Sequence, residues 1–505
     1  MRKVRKKMHK DLWNEAKIRL EASGKNTGTE LVFTRKSAFG DGSPFGRSLK
    51  DFEMLTARGY KGKGSFYAQA SNILYVGFDD TSAYFQEHMA YGQAAFKAVR
   101  LLKELKIKEA FCDVSGLNEA CKRQVIRGLF LGDYSYKGFK KEEGECSSSK
   151  VSSECDMLRI SLNGVSDSLL HELGVICRRV NFVRDVVNTP PNIADSVFLS
   201  NLAKEEAIKL GSAKSDCRID VSLHDNSFLE EQGMGAFLAV NRASSSPAFL
   251  AHLSYKPSVP TTKKIAIVGK GLVYDTGGLS LKPADYMTTM KADKGGACAI
   301  LGIFLAVAEL GLPVELHAIM GITDNAIGNK SYRPDDVLIS REKKSIEVKN
   351  TDAEGRLVLV DCLSYAQDLK PDLIIDFATL TGACVVALGE YTSGVMGFNE
   401  ELKQKFVESA LRSGELAHTL PFNEHLSKLL ESKIADVSNI SSSRYGGAVT
   451  AGIFLSEFVR KEYRDKWLHV DIAGPAYVEK EWGVNPHGAS GVGVFSCLDF
   501  ISSIL

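Results

Sequence analysis

The sequence predicts an α/β protein of two domains: a smaller N-terminal α/β domain, and a larger C-terminal α/β domain whose mostly parallel central sheet is flanked by helices. The chain has 505 residues, which is more than a single hydrophobic core usually serves. Short apolar runs alternate with helical patterns along most of it, as in proteins whose parallel strands are joined by helices. A polar, serine-rich loop at Lys140–Glu154 precedes a long amphipathic stretch, which suggests a boundary between the domains.

Residues 1–165 are predicted to form the smaller domain, with a structural or assembly role. Apolar runs predict strands at Glu30–Thr34, Ile73–Phe78, Ala110–Cys112 and Met157–Leu162. A helix is predicted at His88–Leu105, where alanine and leucine recur near helical spacing. This part of the chain shows no concentration of catalytic residue types.

Residues 166–187 are predicted to form a helix that connects the domains, since apolar residues lie on one stripe of it. It stops before the paired prolines Pro190 and Pro191, which cannot continue a helix. In the larger domain, residues 188–505, buried strands are predicted at Lys264–Val268, Val314–Met320, Leu373–Phe377 and Leu468–Ile472. Helices are predicted between them, among others at Ala297–Leu310 and Leu357–Leu369.

The charge balance argues against a strongly charged binding partner. There are 63 basic and 62 acidic residues, for a net charge of +1, so no global field favours nucleic acid or an acidic membrane. No apolar run reaches the roughly 18 residues of a membrane helix, and no apolar segment follows the basic N-terminus as in a secretory signal. The ten cysteines form no CxxC pair, which predicts reduced thiols and a cytoplasmic location.

Four carboxylates fall at or just after predicted strand ends: Asp275, Asp293, Asp352 and Glu354. Some have a local alternative role. Asp293 could cap the helix that follows it, and Asp352 or Thr351 could cap the helix at Leu357–Leu369 through a capping box. We expect Asp352 and Glu354 to lie in the turn before that helix.

Four carboxylates converging in a cleft would repel one another unless cations were present. Divalent Zn, Mn, Mg or Co bound by oxygen ligands would remove this repulsion. The sequence contains no HExxH segment, so a histidine-based zinc site is not predicted. Lys270, expected at the end of a strand between Gly269 and Gly271, does not fit a phosphate-binding loop.

Three segments of the larger domain carry these residues: VGKGLVYDTGGLSLKP at 268–283, MKADKGGA at 290–297 and NTDAEGRL at 350–357. In order and spacing they resemble the signature segments of the leucine aminopeptidase (cytosol aminopeptidase) family of two-metal exopeptidases. The segments NTPPN, ATLTGA and HVDIAGPA are similar to further parts of the family's catalytic domain. The resemblance extends from about residue 181 to the C-terminus and is much vaguer over the first 150 residues. It implies that residues 188–505 form a catalytic metallopeptidase domain.

The resemblance implies two divalent metal ions per subunit, Zn or Mn above all, with Mg or Co as alternatives. Asp275 and Glu354 would bridge both ions. Asp352 would bind one ion through its side chain and backbone carbonyl, and Lys270 and Asp293 would bind the other. A lysine ligand must be neutral, which a neighbouring dication and burial would favour by lowering its pKa.

The activity implied by the resemblance is release of N-terminal amino acids, preferably leucine-like, from peptides. Lys282 would stabilise the developing oxyanion. Arg356 would hold a bicarbonate ion that accepts the proton of the attacking water. The implied substrate-binding residues are Met290, Thr379, Leu380 and Gly382.

The resemblance also implies a homohexamer, with no membrane or nucleic-acid partner. Lys294 is a departure, because the family usually has Met there; we expect it to alter metal affinity or the pocket edge without being a ligand. Two alternatives stay open. One is a dipeptidase of the Cys-Gly type with the same site, and the other is a non-catalytic hexameric scaffold or DNA-binding relative.

Overall fold

The computed structural model of the protein describes residues 17–26, 28–37, 49–139, 157–261 and 263–505. The chain divides into two compact units. The larger contains Phe182–Glu479 and His487–Leu505, and the smaller contains the described part of Lys6–Asn181 together with Lys480–Pro486. The basic N-terminus and the loop Lys140–Glu154, which the sequence singles out, lie outside the described residues.

The smaller unit is built on a six-stranded sheet. Its strands are β1 Ile18–Ala22, β2 Thr29–Arg35, β3 Gly64–Ala68, β4 Ile73–Phe78, β5 Glu109–Asp113 and β6 Leu158–Asn163. They lie in the order β1-β6-β5-β2-β4-β3, and neighbours are parallel except β3 and β4. Helices here are α1 Leu49–Ala57, α2 Glu87–Glu104 and α3 Glu119–Gly132. The predicted strands agree with β2, β4, β5 and β6 to within one residue at each end.

Helix α4, Asp167–Asn188, is the helix predicted at 166–187, and the division between the units falls inside it. The helices of the larger unit are α5 Ser196–Ala213, α6 Asn226–Glu231, α7 Gly235–Asn241, α8 Ala284–Met287, α9 Gly295–Leu310, α10 Glu354–Asp368, α11 Gly382–Leu388, α12 Glu400–Ser413, α13 Glu424–Ser427, α14 Gly447–Ser456 and α15 Val494–Ile504. Short 3-10 helices lie at Met290–Lys294, Lys428–Leu430 and Lys461–Lys466.

The larger unit is organised around an eight-stranded sheet. The strands of this unit are β7 Cys217–His224, β8 Phe249–Pro257, β9 Lys264–Asp275, β10 Glu315–Asn325, β11 Val337–Ile339, β12 Ser345–Glu347, β13 Leu373–Ala378, β14 Thr392–Met396, β15 Leu416–Thr419, β16 Val437–Ser438, β17 Trp467–Asp471, β18 Tyr477–Val478 and β19 Gly488–Ala489. The main sheet has the order β15-β14-β17-β13-β9-β10-β8-β7, and its centre, from β17 to β10, is parallel. The α/β architecture with largely parallel sheets confirms the predicted fold class.

Strand β9 is longer than predicted, because it continues through Lys270 to Asp275 instead of ending near Val268. The prediction took the glycines around Lys270 as the end of the strand. Gly269 is needed for close packing: a Cβ there would lie 2.7 Å from the Cα of Ala297 in α9. Strand β10 is also longer than predicted and runs beside β9 as far as Asn325.

Alternate residues of β9 face opposite sides of the sheet, as in any strand. Ala266, Val268 and Leu272 belong to a buried apolar cluster that also contains Leu357 and Val358 of α10. Lys270 has the same parity and therefore projects toward the first turn of α10. The strand thus delivers one long polar side chain to the end of an otherwise apolar face.

None of the helices in the described part of the chain is long and apolar enough to cross a membrane. Cys298, Cys384 and Cys497 are buried free cysteines, as their apolar sequence surroundings predict.

A histidine cluster lies on β8 and β10. In the strand order of the sheet, these strands are on the opposite side of β9 from β13. The His252 Nε2 atom is 2.9 Å from Nδ1 of His317, and its Nδ1 atom is 3.1 Å from the Tyr365 hydroxyl. His317 Nε2 is 3.2 Å from a carboxylate oxygen of Glu315. Burial, together with the neighbouring His317, lowers the pKa of His252 to about 4. Burial also lowers the pKa of His317.

We expect this cluster to make the fold sensitive to acid. An unfolded histidine has a pKa of about 6.5, so the neutral His252 stabilises the fold fully above that pH and progressively less as the pH falls toward 4. The loss for His252 is about 3 kcal/mol. Urea unfolding at pH 7.5 and pH 4.5 should show a smaller pH-dependent loss in His252→Gln. The exposed His425→Gln should match the wild type, and an undiminished loss in His252→Gln would contradict the assignment.

Candidate active site

One cavity of about 390 Å³ in the larger unit is lined by every residue that the sequence predicts for the site: Lys270, Asp275, Lys282, Met290, Asp293, Asp352, Glu354, Arg356, Thr379, Leu380 and Gly382. It lies at the carboxyl ends of β9 and β13. The turn Met290–Lys294, the first turn of α10 and the start of α11 complete its walls. This is the edge at which open parallel sheets gather ligands.

Three buried carboxylates converge in this cavity. Asp275, Asp293 and Glu354 each place an oxygen within 4.8 Å of the other two. Asp275 is the last residue of β9, Asp293 lies in the turn before α9, and Glu354 is the first residue of α10. Residues that are 18 to 79 positions apart are therefore brought together by the ends of three elements.

Lys270 neutralises part of this charge from within the sheet. Its Nζ atom is 2.7 Å from Asp293 Oδ1, 3.1 Å from Glu354 Oε1 and 2.8 Å from the backbone carbonyl oxygen of Thr379. Burial alone would lower its pKa, but the carboxylates of Asp293 and Glu354 outweigh burial and raise it. The lysine therefore carries a full charge beside these carboxylates.

Lys282 neutralises the other side of the cluster. Its Nζ atom is 2.8 Å from Asp275 Oδ2 and 2.6 Å from Asp352 Oδ1. The pKa of Lys282 is also raised, because its attraction to Asp275 outweighs the effect of burial. Its side chain is partly open to the cavity, at 15% exposure, so its ammonium group can also reach a bound molecule.

The carboxylates keep unused ligand atoms despite the two lysines. Among the described residues, Asp293 Oδ2 and Glu354 Oε2 are buried and have no hydrogen-bond partner. Burial, followed by repulsion from Asp275, raises the pKa of Glu354 to about 8. Burial also raises the pKa of Asp293. Buried oxygens of this kind, unpaired and close together, fit the ligand preference of divalent cations.

The local alternatives for these acids are wrong. Helix α10 begins at Glu354, earlier than the predicted Leu357, and its N-cap Ala353 makes no side-chain cap bond. Glu354 is therefore in the helix and not in the turn before it, whereas Asp352 does precede the helix. Asp293 caps nothing, because its Oδ1 accepts hydrogen bonds from Lys270 and Thr379. The converging charges, not helix capping, account for these side chains.

Arg356 lies in the first turn of α10 and is almost completely buried. Its Nη1 atom donates to the Asn439 carbonyl at 2.8 Å, while its Nε has no partner among the described residues. Burial lowers its pKa to about 10, so it remains a cation at neutral pH. An unpaired, buried guanidinium N–H beside a cavity is suited to binding an anion.

The family described as "Cytosol aminopeptidase family, catalytic domain" matches residues 181–498. A probable cytosol aminopeptidase of Helicobacter hepaticus is 50% identical over 94% of this chain and 95% of its own length. The chain belongs to the cytosol aminopeptidase family. Cytosol aminopeptidases are hydrolases that act on peptides, and this chain is therefore an aminopeptidase.

Two solved structures of related proteins share its fold. A mutant of tomato leucine aminopeptidase is 29% identical, with a TM-score of 0.82 and coverage of 97% of both chains. The bottromycin maturation enzyme BotP in complex with Mn is 26% identical, with a TM-score of 0.79, and the match covers 97% of this chain and 100% of that chain. Both matches extend over the smaller unit, beyond the segments that carry the resemblance in the sequence.

Several residues of this candidate site were not predicted from the sequence. Asn325, at the end of β10, donates to Asp275 Oδ1 at 2.8 Å and to the Thr351 carbonyl at 3.0 Å. Thr351 donates to the Gly277 carbonyl. These bonds hold the end of β9 to the segment that carries Asp352. Asn325 was missed because β10 was predicted to end at Met320. In the structure β10 continues to Asn325, which pairs with Asp275 of β9.

The segment HVDIAGPA also contributes side chains to the aminopeptidase cavity. Asp471 accepts hydrogen bonds from the Leu380 N–H at 3.1 Å and from the Thr381 hydroxyl at 2.8 Å. It thereby holds the segment before α11. Ala473, Ala476 and Tyr477 line the cavity wall. The sequence resemblance marks this segment but gives no role to any of its residues.

We expect Gly355→Ala to disturb the aminopeptidase site. A Cβ there would lie 2.5 Å from Cε of Lys270, so the lysine would have to leave Glu354. Overpacking of this kind costs about 1–3 kcal/mol, to be measured by urea unfolding. Gly382→Ala is the control, because nothing lies within 4 Å of its Cβ position. Equal stability of the two variants would contradict the close packing of Lys270 on α10.

Proposed function

We propose that this chain is a metal-dependent aminopeptidase that releases N-terminal residues, preferably leucine-like, from peptides and uses two divalent cations. The observation that carries the proposal is the convergence of three buried carboxylates with unpaired oxygens in a cavity next to two lysines. Family membership and the Mn named with a similar structure support it. Zn or Mn is the proposed pair, and Mg or Co would satisfy the same oxygen ligands.

The proposed ligands divide into two sets. Asp275 and Glu354 would bridge the two cations, Asp352 would complete one set, and Lys270 and Asp293 the other. Lys270 must lose its proton to serve as a ligand, as any lysine must. When bound, the cations would acidify a water molecule and polarise the scissile carbonyl group.

The remaining residues would orient the substrate and stabilise charge. Asp293 would hold the free amino group of the peptide, which restricts cleavage to the first residue. Lys282, a cation with a partly open ammonium group, would donate to the oxygen that becomes negative during attack. Backbone groups of Leu380 and Gly382, in the segment held by Asp471, would align the chain.

Arg356 would hold a bicarbonate ion, which would supply a proton acceptor near the attacking water. The buried, unpaired Nε atom of Arg356 supports an anion at this position. Met290 and Thr379 would form the apolar wall that receives a leucine-like side chain. By similarity to the cytosol aminopeptidases we also propose a cytoplasmic homohexamer.

Hydrolysis of leucine amide by the purified protein is the first test. We expect activity to disappear on chelation and to return with Mn or Zn, because the proposed cations activate the attacking water. Folding of the chelated protein should be checked in parallel by circular dichroism. A folded protein that is inactive with every divalent metal would overturn the proposal and favour a scaffold function.

The Cys-Gly type of dipeptidase shares all of these residues, so substrate length is what separates it. A dipeptide series and a peptide series with the same N-terminal leucine should be cleaved at comparable kcat/KM if the proposal holds. Cleavage confined to the dipeptides would identify the dipeptidase instead.

Two substitutions should separate ligand from oxyanion roles. Glu354→Ala should lose bound metal and activity together. Lys282→Ala should keep both metals, measured by elemental analysis, and lose about a hundredfold or more in kcat, the usual effect of removing one oxyanion donor. The half-exposed Lys349→Ala, a lysine that pairs with Glu347, is the control. A near-native kcat in Lys282→Ala would exclude the oxyanion role.

A further inference from the structure

The turn Met290–Lys294 carries the proposed ligand Asp293 and starts from a strained residue. Thr289, immediately before it, has a φ of 73°. A β-branched residue in this left-handed conformation is strained and persists only when surrounding contacts hold it. The turn also has no side-chain cap bond at Thr289. Contacts elsewhere in the turn must therefore fix the position of Asp293.

Lys294, at the other end of the turn, makes such contacts. Its side chain is completely buried. Its Nζ atom donates to the carbonyls of Val187 at 3.2 Å, Thr189 at 3.1 Å and Lys291 at 2.6 Å. Val187 lies in the last turn of helix α4 and Thr189 directly follows it. Backbone acceptors at such a helix end lack intrahelical partners and attract cations. One ammonium group therefore joins the turn to a helix end that is more than 100 positions away in sequence.

Lys291 makes a second connection to the same helix end. Its Nζ atom donates to the Asn188 carbonyl at 3.1 Å and lies 5.5 Å from the centre of the Tyr477 ring. The Asn188 side chain accepts a hydrogen bond from the Ala489 N–H at 3.2 Å. Ala489 in turn pairs with Tyr477 across β18 and β19. These contacts connect the turn, the helix end and the cavity wall to one another.

We propose that Lys291 and Lys294, the lysine clamp, are positioning residues that set the affinity of the Asp293 metal position without touching a metal. The inference rests on the proposed function, since it takes Asp293 to be a ligand. Lys294 donates to one carbonyl of the turn and to two at the end of helix α4, so it joins the two segments. Without these donors the strained turn is free to relax, and Asp293 moves away from Lys270 and Glu354.

Lys291 has a second consequence because Tyr477 lines the cavity. Its ammonium group lies over the aromatic ring of Tyr477, where the ring attracts a cation. The clamp therefore positions one ligand and one wall of the substrate pocket from the same helix end. Loss of Lys291 should affect substrate binding, whereas loss of Lys294 should act mainly on the metal.

The test uses the full-length protein, stripped by a chelator and titrated with Mn²⁺ in a calorimeter. Lys294→Met keeps the apolar stem and removes the donors. It should weaken one of the two Mn²⁺ affinities by about tenfold, the lower end of the effect of removing groups that orient ligands, and leave the other unchanged. Lys291→Met should raise KM for leucine amide with little change in kcat at saturating Mn²⁺.

Lys214→Met is the matched control, because Lys214 donates to the Ala308 carbonyl near the other end of α9, away from the cavity. Its Mn²⁺ affinities should equal those of the wild type. Urea unfolding of the stripped proteins separates positioning from general damage: the clamp predicts a metal defect larger than any loss of stability in Lys294→Met.

Unchanged Mn²⁺ affinities in a folded Lys294→Met would overturn the clamp. If that variant does not fold, Lys291→Met decides, and a wild-type KM together with wild-type Mn²⁺ affinities would overturn it. Failure of the wild type itself to bind two Mn²⁺ ions, or to hydrolyse leucine amide with them, would refute the proposed function instead.

Discussion

The convergence of Asp275, Asp293 and Glu354 is the constraint on which the rest of the site depends. Buried carboxylates lose their hydration and repel one another, so their positions cannot be held without compensating positive charge. Lys270 and Lys282 supply this charge from a strand and a loop. The oxygens that they leave unpaired are the atoms that would hold divalent cations in the proposed function.

The fold meets this constraint by bringing the ends of separate elements together. Strand β9 runs on past Lys270 because Gly269 lets α9 approach its backbone, and α10 begins at Glu354 where Gly355 leaves room for the Lys270 side chain. Asn325 then fixes the last residue of β9. The glycines of these segments are therefore needed to bring the carboxylates together, since each close approach requires a residue without a side chain.

Hydrogen bonds of buried charged side chains do much of the remaining positioning. Asp471 holds the segment before α11 through two donors, and the lysine clamp holds the turn of Asp293 to the end of α4. In both cases a buried charged side chain is satisfied by neutral polar groups of a distant segment. Such contacts fix geometry as well as charge, and this makes them sensitive points for metal and substrate affinity.

The sequence by itself determined the fold class, the family and the identity of the residues around the cavity, because strand periodicity and the NTDAEGRL type of segment are local patterns. Six of the eight strands that it predicted agree with the structure to within one residue at each end. Only the tertiary structure decided where β9 and β10 end, that Glu354 starts a helix, and that Asn325 and Asp471 serve the site. These depend on contacts between residues far apart in the chain, such as Lys294 with Val187, and close packing of that kind leaves no periodic trace in the sequence.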